Sequence, residues 1–265
     1  MQLYEITEAR FEPSLVASRF AETREKIAEI CREADRPAPS LVAVTKTVPV
    51  EVINYAIENL GVTAIGENRV QELLSKYDRL ASLPSGGKPS VHLIGTLQKN
   101  KVKYIIDKVD MIESVDSEPL AAEIDRQAKK IGRKIDILVE VNIGREPQKG
   151  GVLPEELFDF IRSLGKFDAL NLRGLMAVAP KCDRKEDYLK YFSEIFQFFI
   201  DIPREIPHNI YSGANLPELS HFDTLSMGMS GSFEEAIKCG STEIRLGSTL
   251  FGARPAGAVI NDPHE

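Results

Sequence analysis

The chain has 265 residues, of which 43% are hydrophobic and 28% are charged, and this balance is typical of a globular protein. Its length suits one barrel-sized domain, so we predict a single domain over residues 1–265. The formal net charge of -7 and the isoelectric point near 5.3 provide no basic surface of the kind that nucleic acid requires. The sequence therefore argues against a nucleic-acid partner.

No segment of the sequence is typical of a membrane span or a secretory leader. Every apolar run is shorter than the about 20 residues that cross a bilayer, and residues 1–5 lack a basic segment before an apolar stretch. We therefore expect a cytoplasmic protein without membrane contacts. Cys31, Cys182 and Cys239 are scattered, and no cysteine or histidine lies beside them at metal-ligand spacing. This pattern indicates reduced, structural thiols and no metal site.

The first regular element is predicted over residues 13–34. Apolar side chains such as Phe20 and Ile27 recur there among many charges at helical spacing, which is typical of an amphipathic helix. Pro37 and Pro39 break this pattern, and the apolar run 41–44 that follows them indicates a short buried strand.

From residue 41 onward, short apolar runs alternate with helical patterns. The predicted strands are 41–44, 62–65, 91–94, 111–115, 135–141, 170–175, 224–225 and 243–246. The predicted helices follow Pro49 and Arg69, begin at Pro154, and span 99–106, 119–131, 186–199 and 233–238.

About eight strand-helix units of this kind favour a parallel sheet that closes on itself. We predict an α/β fold, a TIM-type (β/α)8 barrel over about 41–254 with an additional N-terminal helix and a short tail, 255–265. An open doubly wound sheet is the alternative, but no G-x-G-x-x-G motif follows the first strand.

Lys46 directly follows the first predicted strand, at the end of a barrel strand where working groups lie. Apolar walls around the barrel mouth would depress the pKa of its ammonium, and a neutral amine forms a Schiff base with an aldehyde. The structural alternative is a lysine that pairs with Glu67 or extends to solvent. The spacing alone leaves both interpretations open.

Two loops rich in glycine and hydroxyl groups follow the last two strands, 226–230 and 247–249. These are the positions at which such barrels bind phosphate, because glycine lets backbone N–H groups approach an anion and a following helix offers its N-terminus. The alternative is that glycine and serine only form turns there.

Arg245 lies inside the last predicted strand, where a buried guanidinium needs an acceptor. That acceptor could be a structural carboxylate or a heteroatom of a ligand, and the residues alone favour the structural role.

Five motifs in fixed order resemble one known family: Ala43-Val44-Thr45-Lys46-Thr47, the stretch 66–72, the stretch 92–101, Leu225-Ser226-Met227-Gly228-Met229-Ser230 and Arg245-Leu246-Gly247-Ser248. In these motifs the chain resembles the pyridoxal phosphate homeostasis proteins, which are relatives of the N-terminal barrel of alanine racemase. The resemblance runs from about the N-terminal helix to Arg254.

The resemblance implies a role for each motif residue. Lys46 would form the internal aldimine with pyridoxal 5′-phosphate, and Arg245 would face the pyridine nitrogen. The phosphate would be held by Ser226, Ser230, Gly247 and either Ser248 or Thr249, and Asn68 and Met227 would lie close to the ring. One departure is that Gly231-Ser232 follow the methionine-serine motif, where the family often has acidic residues.

Arg245 also bears on what the protein would do with the cofactor. A guanidinium stays protonated and only donates, so the pyridine nitrogen would remain unprotonated and the ring would be a weak electron sink. Racemisation would also need a second base, and the resemblance to alanine racemase implies a tyrosine from the second domain of a partner subunit. Residues 255–265 are expected to be too few for such a domain. None of the candidate tyrosines has the spacing of that base: Tyr77, Tyr104, Tyr188, Tyr191 and Tyr211.

The preferred hypothesis is therefore a carrier or buffer of pyridoxal phosphate that supplies the cofactor to apoenzymes through transient contacts, without a dedicated reaction of its own. We separately predict a monomer. A weak amino-acid racemase is the second hypothesis. A cofactor-free aldolase that uses Lys46 on a sugar phosphate is the third.

Overall fold

Eight parallel strands form a closed barrel in the computed structural model, which describes residues 11–206 and 217–253. The strands are β1 Ser40–Val44, β2 Ala64–Glu67, β3 Ser90–Leu93, β4 Met111–Val115, β5 Ile135–Val141, β6 Leu170–Ala177, β7 Thr224–Ser226 and β8 Glu243–Leu246. Each strand pairs with the next along the chain, and β1 closes the barrel against β8. The predicted (β/α)8 barrel is therefore confirmed.

Helices connect the strands around the outside of the barrel. They are α1 Pro13–Glu33, α2 Val50–Asn59, α3 Val70–Tyr77, α4 Glu118–Lys130, α5 Leu157–Ser163, α6 Tyr188–Glu205, α7 Phe233–Lys238 and α8 Ser248–Phe251. Short 3₁₀ helices span Lys99–Tyr104, Pro154–Glu156, Leu164–Lys166 and Lys185–Asp187. Tyr211, Arg254 and the predicted tail, residues 255–265, lie outside the described residues.

The predicted N-terminal helix is α1, which packs against α8, α7 and α2 on the outside of the barrel. Its apolar stripe is buried, and the Phe20 ring meets the Phe251 ring edge to face at 5.6 Å. Burial of this stripe is what the helical spacing of apolar residues in the sequence requires.

Several predicted elements have other bounds in the structure, such as α6, which was expected at 186–199, and two of these differences have a local cause. The second strand was expected at 62–65 but begins at Ala64, because the Val62 amide still donates to Ala56 O in the turn that ends α2. The helix expected at 99–106 is the 3₁₀ helix Lys99–Tyr104. Its hydrogen bonds link residues three apart, as in Lys101 N–H to Gln98 O, so the segment that connects β3 to β4 forms a 3₁₀ helix and not an α-helix.

Among the described residues no helix is both long and apolar enough to cross a membrane. All three cysteines are free thiols.

Candidate binding site at the mouth of the barrel

The predicted site residues follow four neighbouring strands. Lys46 follows β1, Asn68 follows β2, Ser230 lies in the loop after β7, and residues 247–249 follow β8. In the barrel these strands are adjacent in the order β7, β8, β1 and β2. Their C-terminal ends therefore bring the predicted residues to one side of the barrel mouth.

Lys46 is half-buried, and the residues on both sides of it are fixed. The Thr45 hydroxyl donates to Glu67 Oε1 at 2.7 Å, and the Thr47 amide donates to Glu72 Oε1 at 2.5 Å. Thr47 has a φ of +63°, a conformation that a β-branched residue rarely adopts without such support. The backbone that carries Lys46 is therefore held rigidly at the mouth.

Lys76 forms hydrogen bonds with both of these carboxylates, Glu67 and Glu72. Its ammonium donates to Glu67 Oε1 at 2.9 Å, to Glu72 Oε1 at 2.6 Å and to Thr45 O at 2.8 Å. Burial raises the pKa of Glu67, although the charge of Lys76 opposes that change. Glu67 is the structural partner considered for Lys46; its Oε1 accepts from Lys76 and Thr45, and its buried Oε2 has no hydrogen-bond partner among the described residues.

Asn68 presents an acceptor that lacks a donor. Its Oδ1 is buried, and no described residue donates a hydrogen bond to it. The backbone of Asn68 is fixed because Gly95 packs directly on it, and a Cβ at Gly95 would lie 2.3 Å from Asn68 O. A buried acceptor without a donor is costly in a folded protein, so this atom suits a ligand donor.

Ser230 and the loop after β8 form a cluster of donors. Ser230 Oγ accepts from the Gly247 amide at 3.4 Å and from the Thr249 amide at 3.3 Å. A Cβ at Gly247 would lie 3.4 Å from Val44 Cβ at the end of β1, so this cluster lies beside the strand that carries Lys46. Ser248 is exposed. Converging amides and a hydroxyl suit a phosphate, because all of them can donate to an anion.

Arg245 points into the barrel and is 3% exposed. Its NH1 donates to Ser226 Oγ at 2.6 Å and its NH2 donates to Ala177 O at 3.0 Å. Ser226 Oγ in turn donates to Glu113 Oε2 at 2.7 Å. The resemblance implied that Ser226 holds the phosphate, but its hydroxyl bonds inside the barrel and not to the Ser230 cluster.

His92 completes this interior network. Its Nδ1 lies 2.8 Å from Glu113 Oε1 and its Nε2 lies 3.1 Å from Ser90 Oγ. Burial lowers the pKa of His92, but the hydrogen bond with Glu113 and nearby carboxylates outweigh it and raise the pKa above its usual value. A carboxylate only accepts, so Nδ1 carries the proton of the hydrogen bond with Glu113.

Two further acids share the interior. Burial and the charge of Glu113 raise the pKa of Glu243 to about 7, and its Oε1 has no hydrogen-bond partner among the described residues. Burial and the charge of Asp116 raise the pKa of Glu140, on β5, to about 7 as well. His92, Glu113 and Glu243 bring possible metal-ligand atoms within 4.8 Å of one another, which the spacing of cysteines and histidines did not reveal.

The interior residues were missed because only residues at strand ends were considered. Glu113 stands in the middle of β4, where all five residues are buried, and a glutamate there must have a partner. That signal was available in the sequence. Met227 was expected near the ring, and its side chain is fully buried in the hydrophobic core, so its contact with a ligand stays a prediction.

Comparison with known proteins agrees with the geometry. A curated relative from Aquifex aeolicus, named pyridoxal phosphate homeostasis protein, is 40% identical over 238 residues, which is 89% of this chain and 97% of the relative. A solved structure of an unknown protein from Bifidobacterium adolescentis has a TM-score of 0.80 at 33% identity, over 90% of this chain and 95% of that chain. PipY of Synechococcus elongatus, solved with pyridoxal phosphate bound, has a TM-score of 0.73 at 30% identity, over 89% of this chain and all of that chain.

The closed barrel with a lysine after its first strand is of the alanine racemase N-terminal domain type, and the family described as alanine racemase, N-terminal domain, matches residues 20–255. Within this class the chain belongs to the family of pyridoxal phosphate homeostasis proteins.

Proposed function

We propose that this protein binds pyridoxal 5′-phosphate covalently through Lys46 and takes part in the homeostasis of that cofactor, holding or delivering it without a dedicated reaction. The bound cofactor supplies an aldehyde, which condenses with a lysine amine with loss of water. The relatives named pyridoxal phosphate homeostasis proteins and the cofactor in the PipY structure support this proposal.

The observation that carries the proposal is that Lys46, on a backbone fixed by Thr45 and Thr47, lies on the same side of the mouth as the cluster of Ser230, Gly247 and Thr249. Lys46 would hold the aldehyde carbon, and Ser230, Gly247 and Thr249 would hold the phosphate. Asn68 Oδ1 would accept a donor of the ligand. These groups fit the chemistry of pyridoxal phosphate, which combines an aldehyde with an anion.

Arg245 favours a carrier over a racemase. In the proposed site it would donate to the pyridine nitrogen, and an arginine does not give up a proton at neutral pH. The ring would therefore stabilise negative charge on a substrate poorly. The tyrosines in residues 11–206 and 217–253 lie on α2, α3, α6 and the 3₁₀ helix Lys99–Tyr104, outside the strands of the barrel.

We also propose that residues 1–265 act as one domain, that the protein is a cytoplasmic monomer, and that it contacts apoenzymes only transiently. Size-exclusion chromatography with light scattering tests the oligomeric state, and a mass of two chains would contradict the monomer.

The functional test uses the purified protein loaded with pyridoxal phosphate. A visible absorption band that borohydride abolishes is the expected result, and a colourless protein would contradict cofactor binding and leave the cofactor-free aldolase as the better account. The loaded protein is then mixed with a pyridoxal-phosphate-dependent apoenzyme, which should gain activity. In parallel it is incubated with single enantiomers of several amino acids, and racemisation at ordinary enzymatic rates would overturn the carrier proposal.

A further inference from the structure

Four side chains form a continuous polar chain across the barrel interior, from His92 on β3 through Glu113 on β4 and Ser226 on β7 to Arg245 on β8. We call these residues the interior chain. The interior of such a barrel is normally filled by branched apolar side chains, so charged groups there must be paired, and their burial calls for a structural or functional explanation.

We propose that Glu113, acting through Ser226, is a positioning residue that fixes the Arg245 guanidinium toward the cofactor ring, and that Ser226 serves this purpose instead of binding phosphate. This inference rests on the proposed function, in which Arg245 faces the pyridine nitrogen.

The hydrogen-bonding capacity of Ser226 is the first step. A serine hydroxyl has one proton to donate and two lone pairs to accept with. Here the proton goes to Glu113 Oε2 at 2.7 Å, and one lone pair accepts from Arg245 NH1 at 2.6 Å. Because Glu113 is a carboxylate that only accepts, the hydroxyl has no proton left to donate to a phosphate oxygen.

The orientation of the guanidinium is the second step. NH1 is bound to Ser226 on β7, and NH2 is bound to Ala177 O at the end of β6, at 3.0 Å. Two bonds to two strands fix the plane of the group, and because a guanidinium has five N–H donors, these two bonds do not use up its capacity to donate to a ligand. Loss of the Ser226 bond would leave the Ala177 carbonyl oxygen as the one hydrogen-bond acceptor for the guanidinium among the described residues.

The charge of Glu113 is the third step. Its carboxylate is wholly buried, and Oε2 lies 3.7 Å from Arg245 NH1. Burial raises the pKa of Glu113, but the hydrogen bond from His92 and the charge of Arg245 outweigh it and lower the pKa, so the group stays ionised. His92 also fixes the other oxygen of the carboxylate. Glu113 therefore balances the buried Arg245 charge and orients Ser226.

The other charged groups around this chain belong to neighbouring strands and remain in every variant of the test. Glu243 precedes Arg245 on β8, and Glu140 faces the interior from β5. Both sense the charge of Arg245.

The test compares the wild type with Glu113→Gln and Ser226→Ala. Glu235→Gln is the matched control, because Glu235 is a buried glutamate on α7, outside the barrel. Titration of each protein with pyridoxal phosphate gives its Kd from the visible band, and a pH titration of the loaded protein gives the pH at which the bound cofactor loses its proton. Inorganic phosphate is titrated separately by calorimetry.

For Glu113→Gln we expect the Kd for pyridoxal phosphate to rise about tenfold, since a bond to a charged group is lost. Removal of a negative charge beside the site should also move the pH titration to lower pH by about one unit. Ser226→Ala should change both quantities in the same direction by less, and both variants should bind inorganic phosphate as the wild type does. The control should match the wild type throughout.

Wild-type affinity and an unmoved pH titration in both variants would overturn the inference. So would a loss of inorganic phosphate binding in Ser226→Ala as large as that in Ser230→Ala. Circular dichroism checks folding, and Ser226→Ala, which removes only one hydroxyl, decides the matter if Glu113→Gln unfolds. A wild type without a visible band would instead contradict the proposed function, and the inference would fail with it.

Discussion

The mouth of the barrel and the interior chain both contain polar side chains, but the two groups differ in how completely those side chains are bonded. At the mouth, no residue in the described part of the chain donates to Asn68 Oδ1, and Ser230 Oγ accepts two long hydrogen bonds, of 3.3 and 3.4 Å, from backbone amides. In the interior, both oxygens of Glu113 and two nitrogens of Arg245 are bonded at 2.6–3.0 Å. The mouth therefore has hydrogen-bonding capacity left for a ligand. The hydrogen bonds of the interior chain instead fix the orientation of the Arg245 guanidinium.

Gly228 joins the two regions, and its replacement should have the largest effect on stability. Its carbonyl accepts from the Arg245 amide at 3.1 Å, and its φ is +93°. A Cβ would lie 2.5 Å from Ala236 Cβ. Gly228→Ala should therefore lower the free energy of unfolding by about 3 kcal/mol, measured by urea titration.

Gly231→Ala is the control in the same loop, because a Cβ there meets no atom of residues 11–206 and 217–253 within 4 Å. It should change the free energy of unfolding by no more than about 0.5 kcal/mol. Equal effects of the two substitutions on the free energy of unfolding would mean that the close packing at Gly228 does not contribute to stability.

Ser230→Ala changes the mouth alone. Loss of the hydroxyl removes one donor from the cluster of Ser230, Gly247 and Thr249, so the Kd for pyridoxal phosphate should rise about tenfold, or about 1.4 kcal/mol. Stability should change little, because the residue is half-buried in a loop. Ser220→Ala, before the opposite end of β7, is the control, and a Kd as low as that of the wild type in Ser230→Ala would place the phosphate elsewhere.

Glu140 on β5 tests how far the fold excludes water from a carboxyl group inside the barrel. Its pKa is raised to about 7 from 4.5 in the unfolded chain, mainly by burial. A group of this kind stabilises the fold fully below the unfolded pKa, and that contribution is lost as the pH rises through the folded pKa.

Glu140→Gln should therefore become more stable relative to the wild type between pH 4.5 and pH 8, by about 1 kcal/mol for a half-buried carboxyl. Urea titrations at several pH values measure this difference, with the exposed Glu156→Gln as control. Parallel stability profiles of Glu140→Gln and the wild type would show that Glu140 is as well hydrated in the fold as in the unfolded chain.

The barrel could be predicted because its strands are short apolar runs separated by helical patterns. Strands β4, β5 and β8 match their predicted bounds. The bounds failed where an apolar residue serves a turn, as Val62 does after α2. They also failed where the connection after β3 forms only a 3₁₀ helix, because hydrophobic spacing over six residues does not separate the two kinds of helix.

The site could be predicted in part, for a physical reason. Residues after strands must meet at the mouth of a closed barrel, so Lys46 and the loops after β7 and β8 could be placed together from the sequence. The partners of Arg245 could not, because Glu113 lies on β4, far from β7 and β8 in sequence, and only the closed barrel brings it to Ser226 and Arg245. Their pairing also changes the proposed use of Ser226.

The central claim is that Lys46 is the residue that binds the cofactor, and peptide mapping tests it directly. The protein is incubated with pyridoxal phosphate, reduced with borohydride, digested and analysed by mass spectrometry, with Lys46→Arg as a control that keeps the charge. We expect the cofactor label on the peptide that contains Lys46, and no stoichiometric label in Lys46→Arg. A label of equal yield on another lysine, or its persistence in Lys46→Arg, would contradict the account.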